Sequence, residues 1–286
     1  MMEKFSLNIR GRLVVFDRPA VMGILNITPD SFFAGSRVSD VETIALRARQ
    51  MKEEGADIID IGACSTRPGS ASASLEDELQ RLAAAVPAVR QAVGHDMILS
   101  VDTFRSEVVR RAIGEWGADI VNDISAGAID PEIFYAVADM KAPYILMHMR
   151  GTPLTMQRHT EYADVTAEVI EELSHPLARL EELGVNDVII DPGFGFAKTL
   201  EQNYTLLRNL QAFGIFGRPL LAGMSRKSMA TRLLGISPDE ALPATCVLNA
   251  FALERGAAIL RVHDVAEARR TVDIYSAMNQ PCLTSE

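Results

Sequence analysis

Short apolar runs alternate with longer amphipathic stretches along almost the whole chain. Eight runs are rich in Val, Ile, Leu and Met and contain few polar residues, which is typical of parallel strands covered on both faces. These predicted strands cover residues 20–25, 57–61, 97–101, 119–121, 143–147, 187–190, 219–222 and 257–260. The stretches between them repeat apolar residues at helical spacing and predict helices at residues 41–54, 75–93, 106–116, 131–140, 161–183, 200–213, 238–255 and 264–278. Eight strand–helix units predict an α/β fold, a single (β/α)8 TIM barrel.

Two segments depart from this alternation. Residues 6–16 alternate around an Arg-Gly-Arg turn centred on Gly11, which predicts a β-hairpin that closes the amino-terminal end of the barrel. Residues 226–235 predict an extra short helix after the seventh strand. Long connections rich in Gly and Ser follow the first two strands, at residues 28–40 and 64–74. Loops of that length in a compact domain are usually functional or mobile.

The length and composition suit one domain. A chain of 286 residues, 48% of them hydrophobic, is long enough for one such barrel and its core. No linker, low-complexity tract or charge block divides it, so we expect a single domain over residues 1–286, with the barrel at about 19–278. No run of about 18 apolar residues predicts a membrane span, and the amino terminus lacks a signal-peptide core. Cys64, Cys246 and Cys282 form no close pair for a disulfide or metal site. We therefore expect a cytoplasmic protein.

Polar residues stand at or just past the carboxyl ends of the predicted strands. They are Asn26, Thr66, Arg67, Asp102, Asn122, Asp191, Lys227, Arg261 and His263. The carboxyl ends of all strands meet on one face of such a barrel, so we expect these side chains to form one site. The net charge of −10 argues against nucleic acid or an anionic membrane as partner, because both need a broad basic surface. The Arg, Lys and His donors near the site, including Arg226, favour a small anion such as a phosphorylated metabolite.

Eight segments, in this order, resemble the motifs of dihydropteroate synthases. They read MGILNITPDSF (22–32), DIIDIGACSTRPG (57–69), SVDT (100–103), NDIS (122–125), MHM (147–149), DPGFGFAK (191–198), GMSRKS (223–228) and RVH (261–263). That family condenses 6-hydroxymethyl-7,8-dihydropterin pyrophosphate with p-aminobenzoate to give 7,8-dihydropteroate and pyrophosphate in folate biosynthesis. The resemblance implies the same transferase activity here, with Mg2+ as cofactor, sulfonamides as inhibitors and a homodimer formed through the late helices.

The resemblance assigns a pterin-binding set. Its members are Asp102, Asn122, Met147, Asp191, Gly195 and Lys227. Chemistry supports Asp191, because the adjacent N–H donors of the 2-amino-4-oxo edge of a pterin suit a buried carboxylate. Asn122 offers the ring both a donor and an acceptor, and Asp102 matches a carboxylate near the reacting end. In the family the residue matching Lys227 lies beside the pterin carbonyl and N5, and that matching Met147 packs on the ring.

A second set is assigned to the pyrophosphate. Its members are Asn26, Thr66, Arg67, Arg261 and His263, and Asn26 is also the implied Mg2+ contact. Arg261 and His263 are two residues apart on one strand end, so both point to the same side. In the family the carbon–oxygen bond breaks first, and aminobenzoate then attacks the pterin cation, which Asp102 would stabilise. The implied catalytic residues are therefore Asp102, Lys227, Arg261 and His263, and no covalent nucleophile is expected.

The third set, assigned to p-aminobenzoate, consists of Thr66, Pro68, Phe196, Lys227 and Ser228. This substrate is flat, aromatic and anionic, so its site should pair an apolar wall with donors for one carboxylate. Phe196 and Pro68 match the wall. Ser228 offers a backbone N–H and a hydroxyl at the start of the extra helix, where negative charge is favoured. Sulfonamides have a similar shape and charge, so we expect the same pocket to accept them.

Some positions depart from the family pattern or lie outside the assigned sets. Many members have an acidic residue where this chain has Ala34, and Gly-Glu where it has Ala63 and Cys64, which leaves the details of loop closure open. Asp60 and Asp123 are interpreted as capping residues, one face away from the site.

Two other functions stay open. Enzymes that pass the methyl group of methyltetrahydrofolate to a corrinoid protein share the barrel and the pterin carboxylates. They hold no pyrophosphate, however, so Thr66-Arg67 and the Arg261-x-His263 pair argue against them. A non-catalytic pterin-binding paralogue is the other alternative, and only Ala34 supports it. Pyrophosphate release, measured with and without p-aminobenzoate, separates the three.

Overall fold

The computed structural model describes residues 4–27, 37–64 and 73–279 of the chain. The strands in these ranges are β1 (Phe5–Ile9), β2 (Arg12–Phe16), β3 (Ala20–Asn26), β4 (Ile58–Gly62), β5 (Ile98–Asp102), β6 (Ile120–Asp123), β7 (Tyr144–Met147), β8 (Val188–Asp191), β9 (Leu221–Ala222) and β10 (Ile259–Val262). The α-helices are α1 (Arg37–Glu53), α2 (Leu75–Val93), α3 (Ser106–Arg111), α4 (Ile133–Met140), α5 (Val165–Glu182), α6 (Leu200–Arg208), α7 (Ser228–Leu234), α8 (Leu242–Glu254) and α9 (Val265–Asn279).

Strands β3 to β10 form the barrel. They are parallel and follow the order β8-β7-β6-β5-β4-β3-β10-β9. A parallel bridge between Ile190 and Leu220 joins β8 to the chain entering β9 and closes the ring. A helix follows each barrel strand, and two helices, α7 and α8, follow β9. The predicted (β/α)8 TIM barrel, with its extra short helix after the seventh strand, is confirmed.

Side chains of the barrel strands alternate between the surrounding helices and the barrel interior. Outward residues such as Ile59, Val101 and Val121 belong to the core between the sheet and the helices. The deepest inward layer is apolar and contains Met22, Ile58, Ile98, Ile120, Ile145, Ile189, Leu221 and Ile259. Because side chains repeat every second residue in a strand, the next inward positions lie nearer the carboxyl ends. Those positions carry the polar residues described below.

The hairpin of β1 and β2 covers the amino-terminal end of the barrel. Its strands pair antiparallel, from Phe5 opposite Phe16 to Ile9 opposite Arg12. Leu7, Ile9 and Phe16 are buried against the deepest inward layer, and the rings of Phe5 and Phe16 stack with centroids 4.5 Å apart. The predicted closure of this end is confirmed.

Two α-helices, α5 and α8, begin four residues later than predicted, for local reasons. The helix expected from residue 161 begins only after Asp164, whose side chain accepts hydrogen bonds from the backbone N–H groups of Thr166 and Ala167. The helix expected from residue 238 is divided into a 3-10 turn, Pro238–Glu240, and α8, which has proline in its first turn. Proline has no N–H to donate and so favours a helix start.

Most barrel strands also end one or two residues later than predicted. Asn26, Asp102 and Asp191 are consequently the last residues of their strands and do not belong to the following loops. Strand pairing therefore fixes their backbones. Within the described residues, no helix is long and apolar enough to cross a membrane.

Candidate active site

An ion-paired group of side chains lies inside the barrel at its carboxyl-terminal mouth. Arg261 of β10 approaches Asp60 Oδ2 through Nε and Nη2, both at 2.7 Å. Its Nη2 also donates to Asp102 Oδ2 at 2.7 Å, and Asn122 Nδ2 donates to Asp60 Oδ2 at 3.0 Å. The structure thus joins three predicted site residues: Asp102 contacts Arg261 directly, and a fourth residue that was not predicted, Asp60, links Arg261 to Asn122.

That fourth residue, Asp60, corrects the sequence interpretation. It was expected one face away from the site as a capping residue, yet in β4 it points inward like Ile58 and pairs in register with Ser100 of β5. Asp60 is fully buried, and its Oδ1 has no hydrogen-bond partner among the described residues. A buried carboxylate is costly without a counter-charge, so Asp60 and Arg261 depend on each other.

Two other polar residues near the mouth are engaged elsewhere. Asp123 faces away from the barrel interior and accepts the backbone N–H groups of Ser125 and Gly127, at 2.7 and 2.8 Å. It caps the turn after β6, as expected. Arg226 forms a two-point ion pair with Asp264, with N–O distances of 2.9 and 2.7 Å. Its Nη1 also lies 3.4 Å from Asp239 Oδ1, so carboxylates engage all three guanidinium nitrogens, and the expectation that Arg226 contributes to the anion-binding donors is wrong.

The protonation state of the Asp102 carboxylate depends on the charges around it. Burial raises its pKa to about 7, a shift that Arg261 opposes and Asp60 increases. A cation that formed beside Asp102 would favour the ionised carboxylate. Asp102 can therefore respond to positive charge that develops on a ligand.

Asp191 and Met147 lie side by side at the ends of β8 and β7, where they pair in register. Asp191 is only 5% exposed, and its Oδ1 accepts the backbone N–H of Gly193 at 2.8 Å. Each carboxylate oxygen can accept two hydrogen bonds, so acceptor capacity remains. Burial raises the pKa of Asp191, and Lys227 opposes that shift. Met147 belongs to an apolar cluster with Phe104, Ile124, Met149, Met156 and Ala197. An acceptor beside an apolar wall suits a flat ring with a polar edge.

Lys227 immediately precedes α7, and its side chain extends to the loop that follows β8. Its Nζ donates to the backbone carbonyl of Phe194 at 2.6 Å and lies 4.8 Å from the ring centroid of Phe196. Burial lowers the pKa of Lys227 to about 8, with Asp191 opposing the shift. Gly195 has a φ of +83°, and a Cβ there would lie 3.2 Å from Lys227 Cδ. Glycine therefore permits both the turn and the position of the lysine.

His263 follows β10 and is held by Ser225. The backbone N–H of His263 donates to Ser225 Oγ at 3.2 Å, and the same oxygen lies 3.0 Å from Nδ1 of the imidazole. Burial and the charge of Arg261 together lower the pKa of His263 to about 4. The imidazole is therefore neutral at pH 7. A serine hydroxyl that donates to Nδ1 leaves Nε2 as the N–H donor.

The remaining predicted residues lie at the rim or outside the described ranges. Asn26 is exposed at the end of β3, and a Cβ on Gly62 would lie 3.5 Å from Asn26 Oδ1 and 3.4 Å from Asp102 Cβ. Ser228 is half-buried as the first residue of α7. Outside the described residues lie Ala34, Thr66, Arg67 and Pro68. In the described part of the chain, no group of three or more His, Cys, Asp or Glu side chains is placed to hold a metal ion.

Sequence analysis missed a second polar network, which lies behind the loop after β8. Lys198 is buried and its Nζ lies 3.0 Å from His148 Nδ1. His148 Nε2 lies 2.9 Å from Glu172 Oε2. A signal was present, because Lys198 ends the DPGFGFAK segment and His148 stands between two methionines. A charged residue in an otherwise apolar motif needs a partner.

Comparisons with known proteins agree with this geometry. Residues 22–263 match the family described as pterin binding enzyme. A dihydropteroate synthase of Synechocystis sp. is 44% identical over 264 residues, which span 91% of this chain and 90% of that relative. The structure of Xanthomonas albilineans dihydropteroate synthase with 4-aminobenzoic acid matches with a TM-score of 0.88 and 38% identity, over 96% of this chain and 99% of that one. The Yersinia pestis dihydropteroate synthase with a sulfonamide drug complex matches with the same scores and coverage. The chain therefore belongs to the dihydropteroate synthase family of pterin-binding enzymes.

Proposed function

We propose that this barrel condenses 6-hydroxymethyl-7,8-dihydropterin pyrophosphate with p-aminobenzoate, yielding 7,8-dihydropteroate and pyrophosphate for folate biosynthesis. The observation that carries the proposal is Arg261, held between Asp60 and Asp102 at the barrel mouth. Arginine has five N–H donors, and those that do not serve the carboxylates suit phosphate oxygens. Two fixed carboxylates therefore orient a cation toward an anionic leaving group.

The pterin ring is assigned to the inner wall of the mouth. Asp191 would accept the adjacent N–H donors of the 2-amino-4-oxo edge. Asn122 would contact the ring with its amide, Met147 would pack on one face, and Gly195 would leave room for Lys227 beside the carbonyl and N5. The burial of Asp191 supports this assignment, because a charge-assisted hydrogen bond gains strength away from water.

Bond breaking is assigned to the opposite side of the ring. Departure of pyrophosphate leaves positive charge on the pterin methylene, and the carboxylate of Asp102 would stabilise it. Arg261 and the Nε2–H of His263 would stabilise the leaving oxygens, together with Thr66 and Arg67. His263 would act as a neutral donor, in keeping with the depressed pKa of its imidazole.

Mg2+ is the proposed cofactor, with Asn26 Oδ1 as its protein contact. Mg2+ prefers oxygen ligands, keeps several waters and is often held through substrate phosphates. A site at the rim with few protein ligands fits this mode of binding. Glycine at position 62 places no side chain beside Asn26 Oδ1, where a Cβ would lie 3.5 Å away. When bound, the ion would neutralise charge on the pyrophosphate. Asn26→Ala should weaken calorimetric Mg2+ binding to the pyrophosphate-loaded protein, whereas unchanged binding would remove Asn26 from this role.

The second substrate is assigned to the outer side of Lys227. Phe196 and Pro68 would form the wall for its ring, and Thr66, Lys227 and Ser228 would supply donors near its carboxylate. The ammonium of Lys227 lies close to the Phe196 ring, so it can serve both substrates. Sulfonamides would occupy the same pocket because they carry a similar ring and an electron-rich head.

A cytoplasmic homodimer is the proposed assembly. Helices α8 and α9 pack together, and each exposes two large apolar residues one turn apart. They are Val247 and Phe251 on α8, and Ile274 and Met278 on α9. Clustered apolar exposure marks an association surface. Sedimentation velocity should show a dimer that Phe251→Glu dissociates, and a wild-type monomer at micromolar concentration would contradict this assembly.

The reaction is tested by following pyrophosphate with purified protein, the pterin pyrophosphate and Mg2+, with and without p-aminobenzoate. We expect release that depends on p-aminobenzoate and matches the dihydropteroate formed. Methyl transfer from methyltetrahydrofolate to a corrinoid would instead support the related methyltransferase class. Pterin binding without turnover would support a non-catalytic paralogue.

A further inference from the structure

The ammonium group of Lys198 is buried beside the proposed substrate pocket with acceptors for all three of its protons. Lys198 is 4% exposed. Nζ lies 3.0 Å from the backbone carbonyls of Gly193 and Phe196 and 3.0 Å from His148 Nδ1. Burial lowers the pKa of Lys198 to about 7, and Asp191 opposes that shift. No function assigned above uses this lysine.

The neighbouring histidine is fixed in one tautomer. Hydrogen bonds from His148 and Arg150 lower the pKa of Glu172 to about 2, so its carboxylate can only accept. His148 Nε2, which lies 2.9 Å from Glu172 Oε2, therefore carries the proton, and Nδ1 is left as the acceptor for Lys198. Burial lowers the pKa of His148 to about 4, so the ring is neutral and can accept. Arg150, which contacts Glu172 and Glu168, anchors the outer end of this chain of groups.

The carbonyls that Lys198 binds belong to an unusual turn. Residues 193, 195 and 197 all have positive φ, at +74°, +83° and +50°, and position 197 is alanine, which rarely adopts this conformation. A Cβ at Gly193 would lie 1.9 Å from the carbonyl oxygen of His148. The turn therefore packs directly on His148, the residue that follows β7. Lys198 binds a carbonyl at the start of the turn and another near its end.

This turn also sets the position of groups in the proposed site. The Phe194 carbonyl accepts from Lys227 at 2.6 Å, and the Phe196 ring lies 4.8 Å from the same ammonium. Along the chain, Phe194 and the side chain of Phe196 lie between the carbonyls of Gly193 and Phe196, which Lys198 binds. A shift of the turn would move the aromatic wall and the lysine together.

We propose that Lys198, oriented by His148 and Glu172, is a positioning residue that holds the Phe194–Phe196 turn in place for p-aminobenzoate binding. The proposal rests on the proposed function of the same site. Lys198 touches no substrate in this scheme, and it acts through Phe196 and Lys227. Losing its contacts raises the KM for p-aminobenzoate more than it changes kcat.

Substitutions at His148 give the sharpest test because they leave Lys198 in place. Asparagine can put its amide oxygen near the position of Nδ1 and keep an acceptor for Lys198. Glutamine reaches the position of Nε2, keeps the Glu172 contact and removes that acceptor. Steady-state kinetics should show the KM for p-aminobenzoate raised by about tenfold in His148→Gln and Lys198→Met, with kcat changed by less than about threefold. His148→Asn keeps the acceptor for Lys198 but loses the Glu172 contact, so it should raise this KM less, by no more than about threefold.

Two controls make the outcome decisive. Glu168→Gln removes an Arg150 partner but does not contact His148. It should leave the KM for p-aminobenzoate and the KM for the pterin pyrophosphate unchanged. Thermal unfolding reports whether each variant is folded. Partial unfolding would lower the apparent kcat but would not change the KM of the remaining folded enzyme, so a raised KM cannot come from loss of folded protein. Equal KM values in His148→Gln and His148→Asn, or an unchanged KM in folded Lys198→Met, would overturn the proposal. A wild-type protein without p-aminobenzoate-dependent pyrophosphate release would instead refute the proposed function.

Discussion

Arg261 is ion-paired with Asp60 inside the barrel, with Nε and Nη2 both 2.7 Å from the same carboxylate oxygen. That oxygen also accepts from Asn122 at 3.0 Å. One buried atom thus links the arginine assigned to the leaving group with the amide assigned to the pterin ring. Asp60 contacts no substrate in our scheme, yet it orients residues on both sides of the breaking bond.

Replacement of Asp60 by asparagine should therefore impair both stability and turnover. The amide removes one of the two carboxylates that pair with Arg261 and leaves Asp102 in place, so the lost charge-assisted contact costs about 1.5 to 3 kcal/mol. We expect that loss in urea unfolding, together with a fall in kcat/KM for the pterin pyrophosphate of at least about tenfold. Ser100→Ala is the matched control, because Ser100 pairs with Asp60 in register and its Oγ has no hydrogen-bond partner among the described residues. Equal behaviour of the two variants would contradict this role.

Asp191→Asn should abolish pterin binding. An amide presents a donor where the pterin also donates, and losing a buried charge-assisted pair costs about 2 to 5 kcal/mol. Isothermal titration calorimetry with a pterin measures the change directly. An affinity within about threefold of wild type would remove Asp191 from the site.

The imidazole of His263 should stay neutral at pH values well below the ordinary pKa of histidine. Burial and Arg261 lower the pKa of His263 from 6.5 to about 4, so its 15N signals should keep the neutral pattern down to about pH 5. Bound pyrophosphate brings negative charge, which favours the protonated ring and should raise that pKa. The signals can be assigned with His263→Gln. A midpoint near 6.5 that does not respond to pyrophosphate and Mg2+ would contradict the assignment.

Ser228→Phe should discriminate between sulfonamides and p-aminobenzoate. The larger substituent of the drug would project past Ser228 and Pro68 toward solvent, so a bulky ring obstructs the drug more than the substrate. We expect the inhibition constant of sulfamethoxazole to rise at least about tenfold, near 1.4 kcal/mol, with a smaller rise in the KM for p-aminobenzoate. Ser228→Ala removes only the hydroxyl and should affect both compounds alike. Equal losses in Ser228→Phe would place the aminobenzoate site elsewhere.

The sequence was sufficient to predict the barrel because two periodicities carry most of its information. Buried parallel strands read as short apolar runs, helices repeat apolar residues every three or four positions, and a barrel sends all strand ends to one face. Asp102 and Asp191 could be placed in one site on that basis alone. No side-chain geometry was needed.

Pairings across the barrel could not be predicted in the same way. Asp60 and Arg261 are 201 residues apart, and their contact depends on the stagger between strands, which apolar patterns do not encode. Arg226 looked like a free donor until the fold placed Asp264 beside it. Lys198 was missed because its acceptors are mostly backbone carbonyls, whose direction depends on a turn with positive φ.

The most direct test of the site is a crystal structure with 6-hydroxymethylpterin, pyrophosphate and Mg2+ bound. We predict that the 2-amino-4-oxo edge lies within about 3.2 Å of the Asp191 carboxylate, with the ring against Met147. The pyrophosphate should contact Arg261 and His263, with Mg2+ against Asn26 Oδ1. A pterin bound away from Asp191, or a pyrophosphate held by Arg226 and not by Arg261, would contradict the account.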